Sequence, residues 1–167
     1  MISISAKSKD FEIIAREFGA TEKQIKAATK RAVSRTTRWA AKQAPRRVAK
    51  VVSVAAKVIK NRVRFRVLLD RDGYGRVWVG LKPISLSRLN PRKTARGITA
   101  GPAKVPGGFL AKGQVFKRVG DARLPIAAQK LDIAEEGGAA VEALGDELGA
   151  RCLSEFEREL RWQTRPK

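Results

Sequence analysis

Histidine is absent from the 167 residues, and cysteine occurs once, at Cys152. Without an imidazole, neither a Ser-His-Asp nor a Cys-His nucleophile can be assembled, nor a histidine-ligated metal. A single cysteine excludes a disulfide scaffold, a zinc finger and an iron–sulfur site. No apolar run approaches the roughly 20 residues needed to cross a bilayer, so no membrane partner is expected. Met1–Lys7 lacks a basic region followed by an apolar stretch, so a secretory signal is not expected either. Carboxylates are the most telling shortage, with 16 Asp+Glu against 36 Lys+Arg and a net charge of +20. Acid/base couples and carboxylate-held metals therefore have little material. The expectation is a non-enzyme with no cofactor and no small-molecule substrate, whose charge suits a polyanion, nucleic acid first.

What is present is unevenly placed. From Lys23 to Arg118 there are 26 basic residues and two acidic ones, Asp70 and Asp72. From Pro125 to Lys167 there are six basic and nine acidic residues. The basic residues are interleaved with Val, Ile, Phe and Trp at regular spacings, which points to a folded cationic surface rather than a disordered arm. Surfaces that serve solubility alone mix both signs, so this one is read as facing a polyanion or an acidic partner.

The spacing predicts a short helix over Asp10–Phe18, stopped by Gly19. Thr21-x-x-Gln24 is a capping box opening a longer helix, which should end near Gln43 ahead of Pro45. Its inner face is Ile25, Ala28, Ala32, Val33, Thr36, Trp39 and Ala40, with Trp39 in the core. Lys26, Lys30, Arg31, Arg35, Arg38 and Lys42 form the opposite, cationic face. Ser53–Ile59 fits a helix or a strand, with alanine favouring helix. Arg62–Leu69 alternates, a strand with Val63, Phe65, Val67 and Leu69 inward and Arg62, Arg64 and Arg66 in a row on the other face. Asp70–Gly75 is a hairpin turn and Arg76–Leu81 the returning strand. From Lys82 to Gly108, Pro83, Pro91, Pro102 and Pro106 break the pattern, giving an extended loop or arm at about 83–108 with one strand near Gly97–Ala100. Phe109–Ala111 and Val115–Val119 form a strand pair around Lys112-Gly113, and an extended piece runs from Pro125 to about Ile133. A helix then covers about 135–162, with Val141, Leu144, Leu148, Cys152, Phe156 and Leu160 as one apolar stripe. Trp162 is either an interface anchor or the last packing residue. No internal repeat is visible. The fold class is α+β: one domain over 1–167, a small antiparallel sheet flanked by a long N-terminal amphipathic helix and a long C-terminal helix.

Other motifs reduce to structure. Asp70-x-Asp72-Gly73 opens like a calcium loop, but position 12 is Leu81 where an acid is needed. Asp72–Val79 resembles an RNA-recognition strand, with Asp72 where a basic residue belongs and Arg76 where an aromatic belongs. A turn tyrosine and a packed Trp78 are the plainer reading. There is no phosphate-cradling glycine loop.

One segment is more specific. Pro106-Gly107-Gly108-Phe109-Leu110-Ala111, Gly113, Val115-Phe116-Lys117-Arg118-Val119-Gly120 and Arg123-Leu124-Pro125-Ile126 together resemble the minor tail protein Z family of tailed bacteriophages and prophages. The capped helix with Ala28, Arg31, Ala32 and Arg38, and the passage Val58–Val63, are similar to the family's upstream part. Agreement runs over roughly residues 20–130, with Gly108 where the family usually has alanine. The resemblance implies a virion structural protein, made in the bacterial cytoplasm, that completes the head-proximal end of a tail. It implies a homo-oligomeric ring that joins other tail and neck proteins, with viral DNA as a further partner in the lumen. It also implies an assembly interface at Pro106, Gly107, Phe109, Phe116, Arg118, Arg123 and Pro125. A basic nucleic-acid-binding module, ribosome- or nucleoid-associated, accounts for the charge equally well but not for this segment.

Overall fold

The structure, a computed structural model, describes residues 2–5, 9–68 and 74–165, with side chains over 9–62 and 75–165. Strand β1 (Ile2–Ser5) is followed by helix α1 (Lys9–Glu17), whose Phe11 and Ala15 are buried. Gly19 stops it with a φ of +56°, where glycine is not strained. The capping box then forms as its residue types dictate. Gln24 N–H reaches Thr21 Oγ1 at 3.4 Å, and Thr21 N–H donates to Gln24 Oε1 at 2.8 Å.

Helix α2 runs from Glu22 to Val51, well past the expected end near Gln43, with Pro45 inside it. Proline deletes one helical hydrogen bond and crowds the preceding turn, at a cost of about 3 kcal/mol. Ala44, Val48 and Ala49 beyond and beside it are all buried, and burying a valine alone gives back roughly 1.5–3 kcal/mol. Packing therefore overrides the breaker. Helix α3 (Ala56–Lys60) takes up the second half of Ser53–Ile59, with Ile59 buried.

Strands β2 (Val63–Leu68) and β3 (Tyr74–Val79) pair antiparallel, and β1 adds to β3, in the order β1-β3-β2. Val77 and Val79 are buried while Arg76 and Trp78 are exposed, the alternation of a half-buried sheet. Trp78 is thus a surface residue and not a packed one. The expected turn at Asp70–Gly73 and the inward set Val63, Phe65, Val67 and Leu69 lie outside the described residues and side chains.

The stretch 83–108 is not a loop or arm. It holds β4 (Ile84–Ser85), a 3-10 turn at Leu86–Leu89, β5 (Arg92–Thr94), β6 (Gly97–Ala100) and β7 (Ala103–Pro106). The prolines fall between strands or at their ends, where they disrupt no ladder hydrogen bond. Buried Ile84, Leu86, Leu89, Ile98 and Val105 hold the strands down. Strands β8 (Phe109–Ala111) and β9 (Gln114–Arg118) make a hairpin, followed by β10 (Ile126–Ala128) and β11 (Lys130–Leu131). Instead of one small sheet there are four among the described residues, all antiparallel: β1-β3-β2, β5-β6-β7, β10-β9-β8 and β11-β4. Helix α4 (Ala134–Gln163) closes the chain, and its stripe from Val141 to Leu160 is buried throughout. Asp132 Oδ1 accepts from Ala134 N–H at 2.9 Å and caps its start. The architecture is mixed α+β.

The chain divides into two compact units, one of residues 1–44, 63–79 and 141–167, the other of 45–62 and 80–140. In the first, the α2 and α4 stripes share a core with α1, where the Phe11 and Phe156 rings lie 4.7 Å apart. Gly75 permits a close approach between β3 and α2 in that unit. A Cβ there would fall 1.8 Å from Thr37 Oγ1, and Thr37 is itself buried and donates to the Val33 carbonyl at 2.7 Å.

Candidate functional site

The cationic face of α2 forms as its spacing requires: Lys26, Lys30, Arg31, Arg35, Arg38 and Lys42 all reach solvent, fully or in part. They are not equivalent. Lys26 pairs with Glu22 one turn back at 2.5 Å, both side chains in open solvent. The bond to Lys26 holds the Glu22 carboxyl below its usual range. Arg31 and Arg35 are engaged by α4. Arg31 Nη1 lies 3.2 Å from Glu159 Oε2, and Arg35 Nη1 donates to Glu159 Oε1 and lies 3.7 Å from Glu155 Oε2. Glu155 is also met by Arg151 at 3.6 Å and by Arg158.

The two glutamates are the residues that sequence reasoning missed. Their side chains are 10% and 5% exposed, although carboxylates are rarely buried unless paired. A signal was available. Each sits one position before a stripe residue, Phe156 and Leu160, so each lies at the border of the apolar face. Glu155 also has arginines four residues before it and three after it, at Arg151 and Arg158. The mild acidity of the last helix is thus partly taken up inside the chain, on α2.

Two indole rings complete this region. The Arg31 guanidinium stands 5.1 Å from the Trp162 ring centroid, and Arg151 stands 4.4 Å from that of Trp39. Trp39, expected in the core, is half-buried, with the Arg151 guanidinium over its ring. Trp162 is 60% exposed. Along α2, Ala27, Lys30, Arg31, Ser34, Arg35 and Arg38 line an open groove of about 510 Å³. Lys30, Arg38 and Lys42 make no ion pair among the described residues.

Of the row Arg62, Arg64 and Arg66, only the Arg62 side chain is described. Arg62 precedes β2, and its guanidinium donates to the carbonyls of Lys82 and Pro83. Partial burial, and then Arg88, lowers its pKa. Its own carbonyl accepts from Gly80 N–H at 3.0 Å, which carries the β2–β3 pairing one step beyond Val63 and Val79. Arg64 and Arg66 stand in register opposite Trp78 and Arg76. Their side chains lie outside the described ones.

The second set of expected site residues lies in the other unit. Pro106 ends β7, and Gly107, with a φ of +67°, donates its N–H to the Arg96 carbonyl at 2.9 Å. Phe109 and Phe116 are cross-strand partners with ring centroids 6.1 Å apart, both half-buried. Arg118 pairs with Ile126, and Val119 N–H donates to the Pro125 carbonyl at 3.0 Å, closing the loop that carries Arg123. Val119, Leu124 and Ile126 are exposed around it, at 65%, 68% and 40%. Lys93, Arg96, Gly107 and Phe109 are among the residues lining a smaller cleft of about 350 Å³.

Cys152 is a buried free thiol on the α4 stripe, its pKa raised first by burial and further by Glu155. No group of three or more His, Cys, Asp or Glu able to hold a metal occurs among the described residues. Among those residues no helix is long and apolar enough to cross a membrane. Comparison with protein-family models, with curated proteins and with solved structures finds no match for this chain.

Proposed function

We propose that this chain is a structural protein of a tailed bacteriophage or prophage, similar to the minor tail protein Z family. In this reading it completes the head-proximal end of the tail by assembling with copies of itself and with neighbouring tail and neck proteins. The supporting observation is where the family-like segment falls. Its residues from Phe109 to Ile126 lie on one continuous β8-β9-β10 meander, whose last connection exposes Val119 and Leu124, with Ile126 at the start of β10, beside Arg118 and Arg123. Exposed apolar side chains grouped with arginine are the composition of an interface core and its rim. The cationic α2 face belongs to the other unit and serves another partner, either DNA in the lumen or acidic tail components.

The test is made on particles. Deleting the gene from the phage or induced prophage should leave filled heads and finished tail tubes that do not join. Mass spectrometry of purified virions should find the chain in stoichiometric amounts. Fully infectious particles lacking the chain would sink the tail reading. A free nucleic-acid-binding module is the second reading, favoured by the α2 groove, and it predicts host nucleic-acid association with none of the chain in particles.

A further inference from the structure

We propose that the groove along α2 binds the phosphate backbone of a nucleic acid, with Lys30 and Arg38 as its free cations and Arg31 and Arg35 as its fixed ones. Trp162 supplies a stacking surface at the edge. The proposal rests on the tail reading only for the source of the nucleic acid. Its chemistry is local to one unit of the chain.

Four observations lead there. No acidic side chain is among the six residues of the groove, while Lys30, Arg31, Arg35 and Arg38 supply four positive charges and Ser34 a hydroxyl donor. Arg31 and Arg35 are 49% and 47% exposed, and among the described residues they meet the glutamates through Nη1 alone. A guanidinium carries five N–H donors, so each arginine is anchored at one corner and has others to offer. Anchoring removes rotamer freedom before a ligand arrives, which lowers the cost of binding. Finally, Trp162 is exposed beside Arg31, and an exposed indole next to a cationic groove is the pairing that single strands use for base and phosphate together.

The same features argue against an acidic protein as the occupant. Glu155 and Glu159 already give Arg31 and Arg35 their carboxylates, and a partner's carboxylate would duplicate that pairing. A phosphodiester chain uses the donors that remain and brings a base for Trp162. Lys30, Ser34 and Arg38 are four residues apart, so they repeat every ~6 Å along the helix, a row that a backbone can follow without regard to base sequence.

The experiment uses the full chain and fluorescently labelled 20-nucleotide DNA, single-stranded and duplex, followed by anisotropy over a salt series. The double variant Lys30→Gln/Arg38→Gln should bind at least about tenfold more weakly at low salt. Its slope of log K against log salt should be smaller by about 2, near one for each phosphate that the variant leaves unneutralised. Lys57→Gln/Lys60→Gln removes the same charge from exposed positions elsewhere and should change affinity by less than about twofold. Trp162→Ala should weaken single-strand binding by about fivefold or more and leave duplex binding nearly unchanged. None of the substituted side chains is buried, and circular dichroism melting curves should superimpose. Equal losses in the two charge variants would overturn the site, since net charge alone would then explain binding. So would poly-glutamate of matched charge displacing DNA as well as unlabelled DNA does, which would make the groove a site for acidic protein. Absence of the chain from particles with DNA binding intact would sink the tail reading and leave the groove standing.

Discussion

Arg35 donates from Nη1 to Glu159 Oε1 across α2 and α4, and the pair is lopsided: the arginine side chain is 47% exposed and the glutamate 5%. Removing either partner is therefore not symmetrical. Without Glu159, the Arg31 guanidinium turns to water and Arg35 keeps Glu155, 3.7 Å away. Without the two arginines, a carboxylate stays buried and unpaired. Arg31→Gln/Arg35→Gln should destabilise the fold by about 2 kcal/mol, reduced from the fully buried case by the arginines' exposure. Glu159→Gln should cost about 1 kcal/mol or less. Urea midpoints in the reverse order would contradict this account of the pair.

Gly75→Ala should be among the most damaging single changes. The new Cβ would lie 1.8 Å from Thr37 Oγ1 and 3.0 Å from Thr37 Cβ, and neither group can swing into open space. Overpacking of this kind costs about 3 kcal/mol. Adding Thr37→Gly should restore part of the loss, and thermal melting of the single and double variants measures it. No recovery in the double variant would mean that the two residues do not meet.

Cys152 should be silent toward thiol reagents in the folded chain and react quickly in denaturant. Burial raises its pKa, so the folded state holds its proton to higher pH than the unfolded chain does. The sign follows: stability from this group is complete below the ordinary thiol range near ~8.5 and is lost as pH rises through and above it. Cys152→Ser should remove that alkaline slope. A thiol that titrates and reacts equally in both states would refute the buried placement.

The β8–β9 turn should accept a better residue. Lys112 and Gly113 have φ of +47° and +72°, the two left-handed positions of a two-residue hairpin turn. Lys112→Asn should stabilise by roughly 0.5–1 kcal/mol, because asparagine tolerates this region better than lysine. Gly113→Ala should cost about 1–2 kcal/mol. Equilibrium unfolding of the two variants should shift in opposite directions.

The elements that periodicity made legible are those whose signal is local. The capping box at Thr21, the α4 stripe and the Lys112-Gly113 hairpin each depend on residues a few positions apart, and each appears where the sequence places it. What sequence reasoning missed depends on partners distant in the chain. Pro45 reads as a stop until Ala44, Val48 and Ala49 are seen to be buried. The prolines of 83–108 read as a loop, because strands of two to four residues carry too little alternation to register against them. On the candidate site, the outward placement of the six α2 cations was legible from spacing. The commitment of Arg31 and Arg35 to Glu155 and Glu159 was not, since the partners stand 128 and 124 positions apart in the two hydrogen bonds to Glu159. The alternation places Arg62 at the head of a strand row, but it gives no sign that the Arg62 guanidinium meets the carbonyls of Lys82 and Pro83, 20 and 21 positions on.

The division into two units has a consequence for how the chain is made. One unit gathers 1–44, 63–79 and 141–167, while the other is complete once residue 140 has been synthesised. On a ribosome, the second unit can therefore close first. The cationic half of α2 in the first unit has to wait for Glu155 and Glu159, which are made after the second unit's residues. Until then Arg31 and Arg35 lack the two carboxylates that hold them, so the groove along α2 carries loose cations before it carries anchored ones.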